Sequence, residues 1–232
     1  MEILEQFVNN NGVQIHTLEF NPTAAGLPLI MVPGMANAAE EIAETVGPLL
    51  TRRTVALSIR GRGKSDSPAT GWRLEDQASD IAAVVKHFGF PKIALFGHST
   101  GGSIAARALP MLNAEVAAFF IGDFAPFYPP YDEGWRQHVK QFPDLAISDV
   151  ALAGIVAEPE YIDVSEYLKP VASLFAMTGD LDKSLLQAEE LAGLQKLFPR
   201  ITIERLEGCS HEFLADDPTH SVLAIERCLA NM

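Results

Sequence analysis

The chain has 232 residues, of which 48% are hydrophobic and 20% are charged, and its formal net charge is −13. This length and composition predict one globular domain, or one domain with a small insertion. The acidic balance excludes nucleic acid as an expected partner, because phosphate binding needs clusters of Lys and Arg.

The sequence near the N-terminus predicts no secretory signal, since Met1–Glu5 contains neither a basic segment nor an apolar one. The apolar runs of the chain are all far shorter than the roughly 18 residues that a membrane span needs. We therefore expect a cytoplasmic protein in which Cys209 and Cys228 are free thiols.

Apolar runs and helical patterns alternate along the chain. The runs that predict strands are residues 5–8, 13–20, 29–32, 54–59, 92–96, 115–121, 171–177 and 201–206. Helical spacing covers residues 38–50, 74–88, 103–109, 185–198 (with Ser184 as the N-cap) and 217–229, where Asp217 and Pro218 have the residue types of an N-cap and a first helical position. The alternation predicts the α/β class, with a mostly parallel central sheet covered by helices on both faces.

One segment, residues 124–169, interrupts this alternation with several prolines and aromatic residues. We expect it to form a short helical cap over one end of the sheet, with residues 1–123 and 170–232 as the core. Its aromatic density predicts an apolar pocket wall that contains Phe124, Phe127, Tyr128 and Trp135. The alternative is a surface excursion without a catalytic role.

The most informative motif is the run Gly97-His98-Ser99-Thr100-Gly101-Gly102, which lies between a predicted strand and a predicted helix. Strand, G-x-S-x-G and helix in this order are typical of a nucleophile elbow, which exposes the serine hydroxyl at a sharp turn. The glycines suit such a turn because they lack side chains. Ser99 is therefore the candidate nucleophile, whereas His98 occupies the variable position and is not expected to be catalytic.

A serine hydroxyl is a weak nucleophile, so it needs a base to take its proton and an acid to orient that base. On folds that carry this elbow the chain order is serine, acid, histidine. An aspartate follows the strand predicted at residues 171–177, and His211 follows the strand at 201–206. Both positions lie after strand ends, where functional loops of parallel sheets gather.

This arrangement resembles the α/β-hydrolase superfamily over nearly the whole chain. The segment from Gly179 to Asp182 resembles the family's G-x-x-D turn, and the segment from Gly208 to His211 resembles its G-x-x-H loop. The resemblance implies that Asp182 is the acid and His211 the base. Asp180 and Asp123 stay as alternative acids, because Asp180 is two residues away and some relatives take the acid from the position of Asp123.

The resemblance extends to two further loops. Pro33-Gly34-Met35 is similar to the family's HG oxyanion loop, with Pro33 in place of the usual histidine. It implies that the backbone N–H groups of Met35 and Thr100 bind the oxyanion. Residues 58–65 resemble the D-x-R-G-x-G-x-S loop, with Ser58 where Asp is usual, and we interpret this loop as structural.

The sequence thus predicts a serine hydrolase that cleaves small-molecule carboxylic esters of small to medium acyl chain, without a metal or an organic cofactor. Relatives that hydrolyse epoxides or haloalkanes have Asp at the elbow, so Ser99 argues against both activities. Lactones, thioesters and perhydrolysis use the same triad and remain alternatives. A non-catalytic ligand receptor and a cofactor-free oxygenase or lyase are further hypotheses on this fold.

Overall fold

The computed structural model describes residues 2–180 and 182–232, so Met1 and Leu181 of the motifs above lie outside the described residues. In these ranges the strands are β1 (Ile3–Asn10), β2 (Val13–Phe20), β3 (Leu29–Val32), β4 (Thr54–Leu57), β5 (Lys92–His98), β6 (Glu115–Gly122), β7 (Phe127–Tyr128), β8 (Ile162–Asp163), β9 (Ser173–Gly179) and β10 (Thr202–Leu206). The α-helices are α1 (Ala39–Thr45), α2 (Leu74–Phe88), α3 (Thr100–Ala108), α4 (Glu133–Val139), α5 (Asp149–Ala157), α6 (Ser165–Leu168), α7 (Ala188–Leu197), α8 (Phe213–Asp216) and α9 (Pro218–Ala230).

Eight strands form one sheet in the order β1-β2-β4-β3-β5-β6-β9-β10. The pairs β1–β2 and β2–β4 are antiparallel, and the remaining pairs are parallel. The sequence prediction of a mostly parallel sheet in an α/β fold is therefore confirmed. Because β5, β6 and β9 are consecutive in the sheet, the loops at their carboxyl ends lie side by side.

Both faces of the sheet are buried, and the side chains of β3 alternate between them. Ile30 and Val32 pack in the same apolar cluster as residues of α2, α3 and α7, whereas Leu29 and Met31 pack in a second cluster with residues of α1 and α9. This alternation follows from the two-residue period of a strand. The prediction of helices on both faces is confirmed.

Some element ends differ from the predictions. The helix predicted at 38–50 ends at Thr45, and Gly47–Leu49 forms a separate 3-10 turn that contains Pro48. Proline cannot donate to the preceding turn of an α-helix, which accounts for the interruption. The N-terminal hairpin is longer than predicted, since its pairing extends to Ile3.

The segment predicted as a cap, residues 124–169 (below, the cap region), contains β7, α4, α5, β8 and α6, and β7 pairs with β8 in a two-stranded ladder that the sequence analysis did not predict. Backbone hydrogen bonds fasten this region to two core loops. Ala146 N donates to Ala36 O at 2.8 Å, Gly63 N donates to Ala146 O at 2.7 Å, and Ser148 N donates to Gly61 O at 2.9 Å. The middle of the cap region is therefore held in register with the core.

Cys209 and Cys228 are both buried and free, as predicted. None of the helices in the described part of the chain combines the length and the apolar character that a membrane crossing demands.

Candidate active site

Ser99 lies at the turn between β5, which ends at His98, and α3, which begins at Thr100. Its backbone has φ 53° and ψ −141°, a conformation that non-glycine residues rarely adopt. The strained turn is held by Ser99 N, which donates to Gly122 O at 2.6 Å. Backbone strain of this kind is typical of functional positions.

The elbow glycines are explained by close approach of the backbone. A Cβ atom on Gly97 would lie 2.3 Å from Gly102 Cα, and one on Gly101 would lie 2.1 Å from Pro33 O. Both separations are shorter than any normal contact, so β5, α3 and the loop after β3 can meet only if these positions lack side chains.

His211 lies on the loop after β10 and contacts a buried carboxylate. Its Nδ1 is 2.8 Å from Asp123 Oδ2; the Asp123 side chain is fully buried, and the His211 side chain is 18% exposed. Burial alone would raise the pKa of Asp123, but hydrogen bonds from His211, Ser184, Thr178 and the Leu185 amide outweigh it and lower the pKa. Asp123 is thus held as a carboxylate beside the imidazole.

This geometry corrects the assignment of the acid. Asp182, the residue that the sequence analysis favoured, is exposed on the turn after β9, and the carboxylate on His211 Nδ1 belongs to Asp123 at the end of β6. Asp180, the other alternative, accepts from the backbone N–H of Gly208 at 2.8 Å and so braces the loop that carries the histidine. Of the three candidate acids, Asp123 is the one whose carboxylate contacts the His211 imidazole.

His98 brings the histidine loop to the elbow. Its Nε2 is 2.8 Å from the backbone carbonyl of His211, and the two imidazole centroids are 4.8 Å apart. A carbonyl can only accept, so His98 Nε2 carries a proton. Burial, together with the charge of His211, lowers the pKa of His98, which keeps its ring neutral. In the described residues Ser99 Oγ itself forms no hydrogen bond, and such contacts often tighten only when substrate binds.

The two segments that carry the predicted oxyanion donors both adjoin Ser99. A Cβ on Gly34 would be 3.5 Å from Ser99 Cβ, so the Pro33–Met35 loop packs directly against the elbow. Thr100 is the first residue of α3, where backbone N–H groups have no partner within the helix. The helix dipole adds positive potential at the same point.

Two side chains that support these donors were not identified from the sequence. Arg62 is 1% exposed, and its Nε donates to Met35 O at 2.8 Å, which fixes the loop that carries one donor. Burial lowers the pKa of the Arg62 guanidinium to about 10. Tyr131, in the cap region, donates to Thr100 Oγ1 at 3.0 Å. The predicted structural role of the loop at residues 58–65 thus includes the support of Met35.

The predicted pocket residues are not all equivalent. Phe124 and Phe127 are half-buried and their rings are 5.1 Å apart, and the half-buried Trp135 packs against Tyr131 at 4.2 Å. Tyr128, by contrast, is only 2% exposed and accepts a hydrogen bond from a glutamine side chain of α2. Tyr128 therefore belongs to the core, which corrects its prediction as a pocket residue.

In residues 2–180 and 182–232, no group of three or more His, Cys, Asp or Glu side chains is placed to hold a metal ion.

Comparison with known proteins decides the family. A sequence model of the alpha/beta hydrolase fold matches residues 28–152, which is more than half of the chain. The chain belongs to the α/β-hydrolase fold family. The match contains the elbow, the loop after β3 and Asp123.

Two curated relatives of this α/β-hydrolase have different activities in their names. The chain is similar to the soluble epoxide hydrolase of Corynebacterium sp. (strain C12), at 32% identity over 117 residues that cover 50% of this chain and 40% of that protein. It is also similar to the 2-(acetamidomethylene)succinate hydrolase of Mesorhizobium japonicum, at 32% identity over 143 residues that cover 53% and 50%. The matched part of the chain spans half or less of these relatives.

Solved structures resemble this α/β-hydrolase over nearly its full length. The esterase EaEST from Exiguobacterium antarcticum has a TM-score of 0.80 at 19% identity, covering 98% of this chain and 100% of that chain. The esterase RhEst1 from Rhodococcus sp. ECU1013 has a TM-score of 0.78 at 19% identity, with 99% of both chains covered. At these identities the likeness establishes the fold.

A groove of about 1010 Å³ adjoins the candidate site of this α/β-hydrolase. It is lined by Asn37, two residues beyond Met35, and by Glu212, which follows His211. Its walls also carry the carboxylates of Glu40, Glu41, Glu44 and Asp144, whereas Lys and Arg are absent from the described lining residues. The potential in this groove is therefore negative.

Proposed function

We propose that the protein is a serine hydrolase that cleaves carboxylic esters of small to medium acyl chain through an acyl-enzyme intermediate. Ser99 is the nucleophile, His211 the base and Asp123 the acid. The observation that carries this proposal is the buried Asp123–His211 hydrogen bond on a loop that His98 ties to a strained serine elbow.

In the first half-reaction Ser99 Oγ forms a bond to the ester carbonyl carbon while His211 Nε2 takes the hydroxyl proton. The carbonyl oxygen becomes an oxyanion that the N–H groups of Met35 and Thr100 bind. Asp123 stabilises the imidazolium through Nδ1 without taking its proton. His211 then gives the proton to the alcohol oxygen as the C–O bond breaks, which leaves Ser99 acylated.

In the second half-reaction water replaces the alcohol. His211 Nε2 takes a proton from the water as its oxygen attacks the acyl carbon, and the same oxyanion donors bind the second tetrahedral intermediate. Collapse returns the proton to Ser99 Oγ and releases the carboxylic acid. His211 carries the proton in each step, and the acyl carbon keeps its oxidation state throughout, so the reaction consumes water alone.

The serine at the elbow argues against epoxide hydrolysis, the activity in the name of one relative. A carboxylate nucleophile forms an ester with an epoxide carbon, whereas a serine hydroxyl paired with a histidine base is suited to acyl transfer. The half-buried Phe124 and Phe127 support an apolar acyl pocket of modest size. Lactones and thioesters are acyl substrates of the same apparatus.

The test is turnover combined with covalent labelling. We expect the purified protein to hydrolyse p-nitrophenyl acetate and butyrate, and a p-nitrophenyl alkylphosphonate to stop turnover at one equivalent. Peptide mapping by mass spectrometry should then find the phosphonyl group on Ser99. The phosphonate mimics the tetrahedral intermediate, so labelling requires the base and the oxyanion donors as well as the serine.

Absence of turnover together with absence of the adduct would favour the receptor hypothesis. An adduct on a different serine would place the active site elsewhere. A variant such as Ser67→Ala, at an exposed position whose hydroxyl donates to Ser148 Oγ at 2.9 Å, serves as the control and should label as the wild type does.

The acidic groove predicts a preference for neutral or cationic esters. An anionic substrate would approach several carboxylates without a compensating cation, so we expect kcat/KM for p-nitrophenyl hemisuccinate to be about tenfold below that for p-nitrophenyl butyrate. Added salt should narrow this gap, because it screens exposed charges. Stopped-flow or plate assays at low and high ionic strength measure both effects.

Glu212→Gln should narrow the same gap at low salt, since Glu212 lines the groove beside His211. The matched control is Glu207→Gln, an exposed residue of the same loop that is not part of the groove lining. Equal rates for the two esters in the wild type, at low salt, would refute the charge preference.

A further inference from the structure

Asp123 is unusually well supplied with hydrogen-bond donors. Its Oδ1 lies 2.6 Å from Ser184 Oγ, 2.6 Å from Thr178 Oγ1 and 3.1 Å from Leu186 N. Its Oδ2 lies 2.9 Å from Leu185 N, on the side where it also meets the imidazole of the base. One carboxylate oxygen is thus saturated by the end of β9 and the turn that follows it, and the other is left for the histidine and one amide.

This turn carries Asp182, the residue that the family resemblance offered as the acid. In this chain the turn instead contributes three donors to an acid from the neighbouring strand. Ser184, which the sequence predicted as an N-cap, is 3% exposed, and α7 begins only after Gln187. A buried hydroxyl needs a partner, and the Asp123 carboxylate is the charged acceptor within its reach.

We propose that Ser184 is a positioning residue: its hydroxyl fixes the Asp123 carboxylate and, through it, sets the basicity of His211. This inference rests on the proposed function, because it concerns the acid and base of the same site.

The proton inventory singles out Ser184 over its neighbour. The two hydroxyl oxygens of Thr178 and Ser184 are 2.7 Å apart, and each carries one proton. Thr178 Oγ1 lies as close to Asp123 Oδ1 as Ser184 Oγ does, but it also has the carbonyls of Gly179 and Leu186 at 3.1 Å and 3.3 Å as acceptors. The acceptors within reach of Ser184 Oγ are the Asp123 carboxylate and Thr178 Oγ1, and the charged acceptor takes its proton.

The sign of the effect follows from charge. A donor on Asp123 Oδ1 withdraws negative charge from the carboxylate, which lowers the pKa of Asp123 against the effect of burial. Without Ser184 Oγ, the carboxylate is more basic and holds the Nδ1 proton more strongly. The protonated state of His211 is then favoured, and its pKa rises.

The experiment measures kcat/KM for p-nitrophenyl butyrate against pH. For Ser184→Ala we expect the acidic limb of the profile to move to higher pH by about 0.5 to 1 unit, with a smaller change in KM than in kcat. Ser184→Thr, which keeps the hydroxyl, should restore the wild-type midpoint. Ser65→Ala is the control, because Ser65 is another buried, hydrogen-bonded serine but contacts Ser58 and His16.

Other titratable groups lie on the elements around His211 and are left unchanged by these variants. They are His98 at the elbow, Asp180 after β9, Glu212 beside His211 and Asp216 at the end of α8. A shift seen in Ser184→Ala and absent from Ser65→Ala is therefore assigned to the hydroxyl on Asp123.

A second readout does not depend on turnover. NMR titration of the His211 imidazole, assigned by loss of its signals in His211→Gln, should show the same rise in pKa for Ser184→Ala. An unchanged midpoint in both measurements would overturn the inference while leaving the esterase proposal intact. If the imidazole pKa shifts but the protein has no esterase activity, the inference about Ser184 stands and the esterase proposal fails. If Ser184→Ala fails to fold, Ser184→Cys replaces it, since a thiol is a weaker donor of similar size.

Discussion

Asp123→Asn is expected to lower kcat for ester hydrolysis by about 10⁴-fold, the magnitude found when a triad acid becomes an amide. The amide keeps the size of the side chain but loses the negative charge that stabilises the imidazolium. Its NH₂ group can also face His211 Nδ1 as a donor, which favours the wrong tautomer of the base. Steady-state kinetics with p-nitrophenyl butyrate measures the loss, and circular dichroism confirms that the sheet is intact.

The matched control is Asp182→Asn, which makes the same chemical change on the exposed turn after β9. We expect its kcat to stay near that of the wild type, because its carboxylate does not contact His211. The opposite result, with Asp182→Asn inactive and Asp123→Asn active, would restore the acid that the family resemblance implied. Loss of activity in both variants would mean that the turn after β9 and the end of β6 act together.

Ser99→Ala is expected to reduce turnover by about 10⁶-fold, since loss of a triad nucleophile removes the covalent route altogether. The residual rate comes from the oxyanion donors and substrate binding. The substitution preserves a Cβ at the positive φ of the elbow, so the thermal midpoint should change little. Active-site titration with the phosphonate, alongside a melting curve, separates loss of the nucleophile from loss of the fold.

Retention of wild-type turnover in Ser99→Ala would exclude the proposed mechanism, whatever the state of the acid and base. A correct interpretation also requires that trace wild-type enzyme be absent, because a reduction of this size approaches the level of contamination. Treatment of the variant with phosphonate before the assay removes that contribution.

The nucleophile and the base could be proposed from the sequence because each has a local signature. The glycines around Ser99 are required by contacts within a few residues and with the loop after β3, so the motif itself encodes the turn. His211 follows a predicted strand and a glycine that adopts positive φ, Gly208. These local signals can be recognised in the sequence without knowledge of the sheet order.

The acid could not be chosen in this way, because its identity depends on a contact across the sheet. Asp123 follows β6 and Asp182 follows β9. These two strands are neighbours in the sheet, so the segments after their carboxyl ends lie side by side. Which carboxylate meets the imidazole is decided by the path of the turn after β9. That turn points Asp182 to solvent and its donors toward Asp123.

Two side chains were misjudged for a related reason. Ser184 precedes a helix and has the residue type of an N-cap, but α7 begins only after Gln187, and the Ser184 hydroxyl donates to the buried Asp123 carboxylate instead. Tyr128 is an aromatic residue in the cap region, yet its ring is buried in the core, where its hydroxyl accepts from Gln77 of α2. Arg62 gives no sign in the sequence that its charge is enclosed.

The backbone bonds between the cap region and the core limit how this α/β-hydrolase can be recombined with others. The backbone of Ala146 is hydrogen-bonded to Ala36 and Gly63, and that of Ser148 to Gly61. A chimaera that exchanges residues 124–169 alone would leave these backbone N–H and C=O groups of the core without their hydrogen-bond partners. Crossover points for grafting a foreign cap should therefore lie outside residues 124–169 and outside the loop after β4, so that this loop is exchanged together with the cap region.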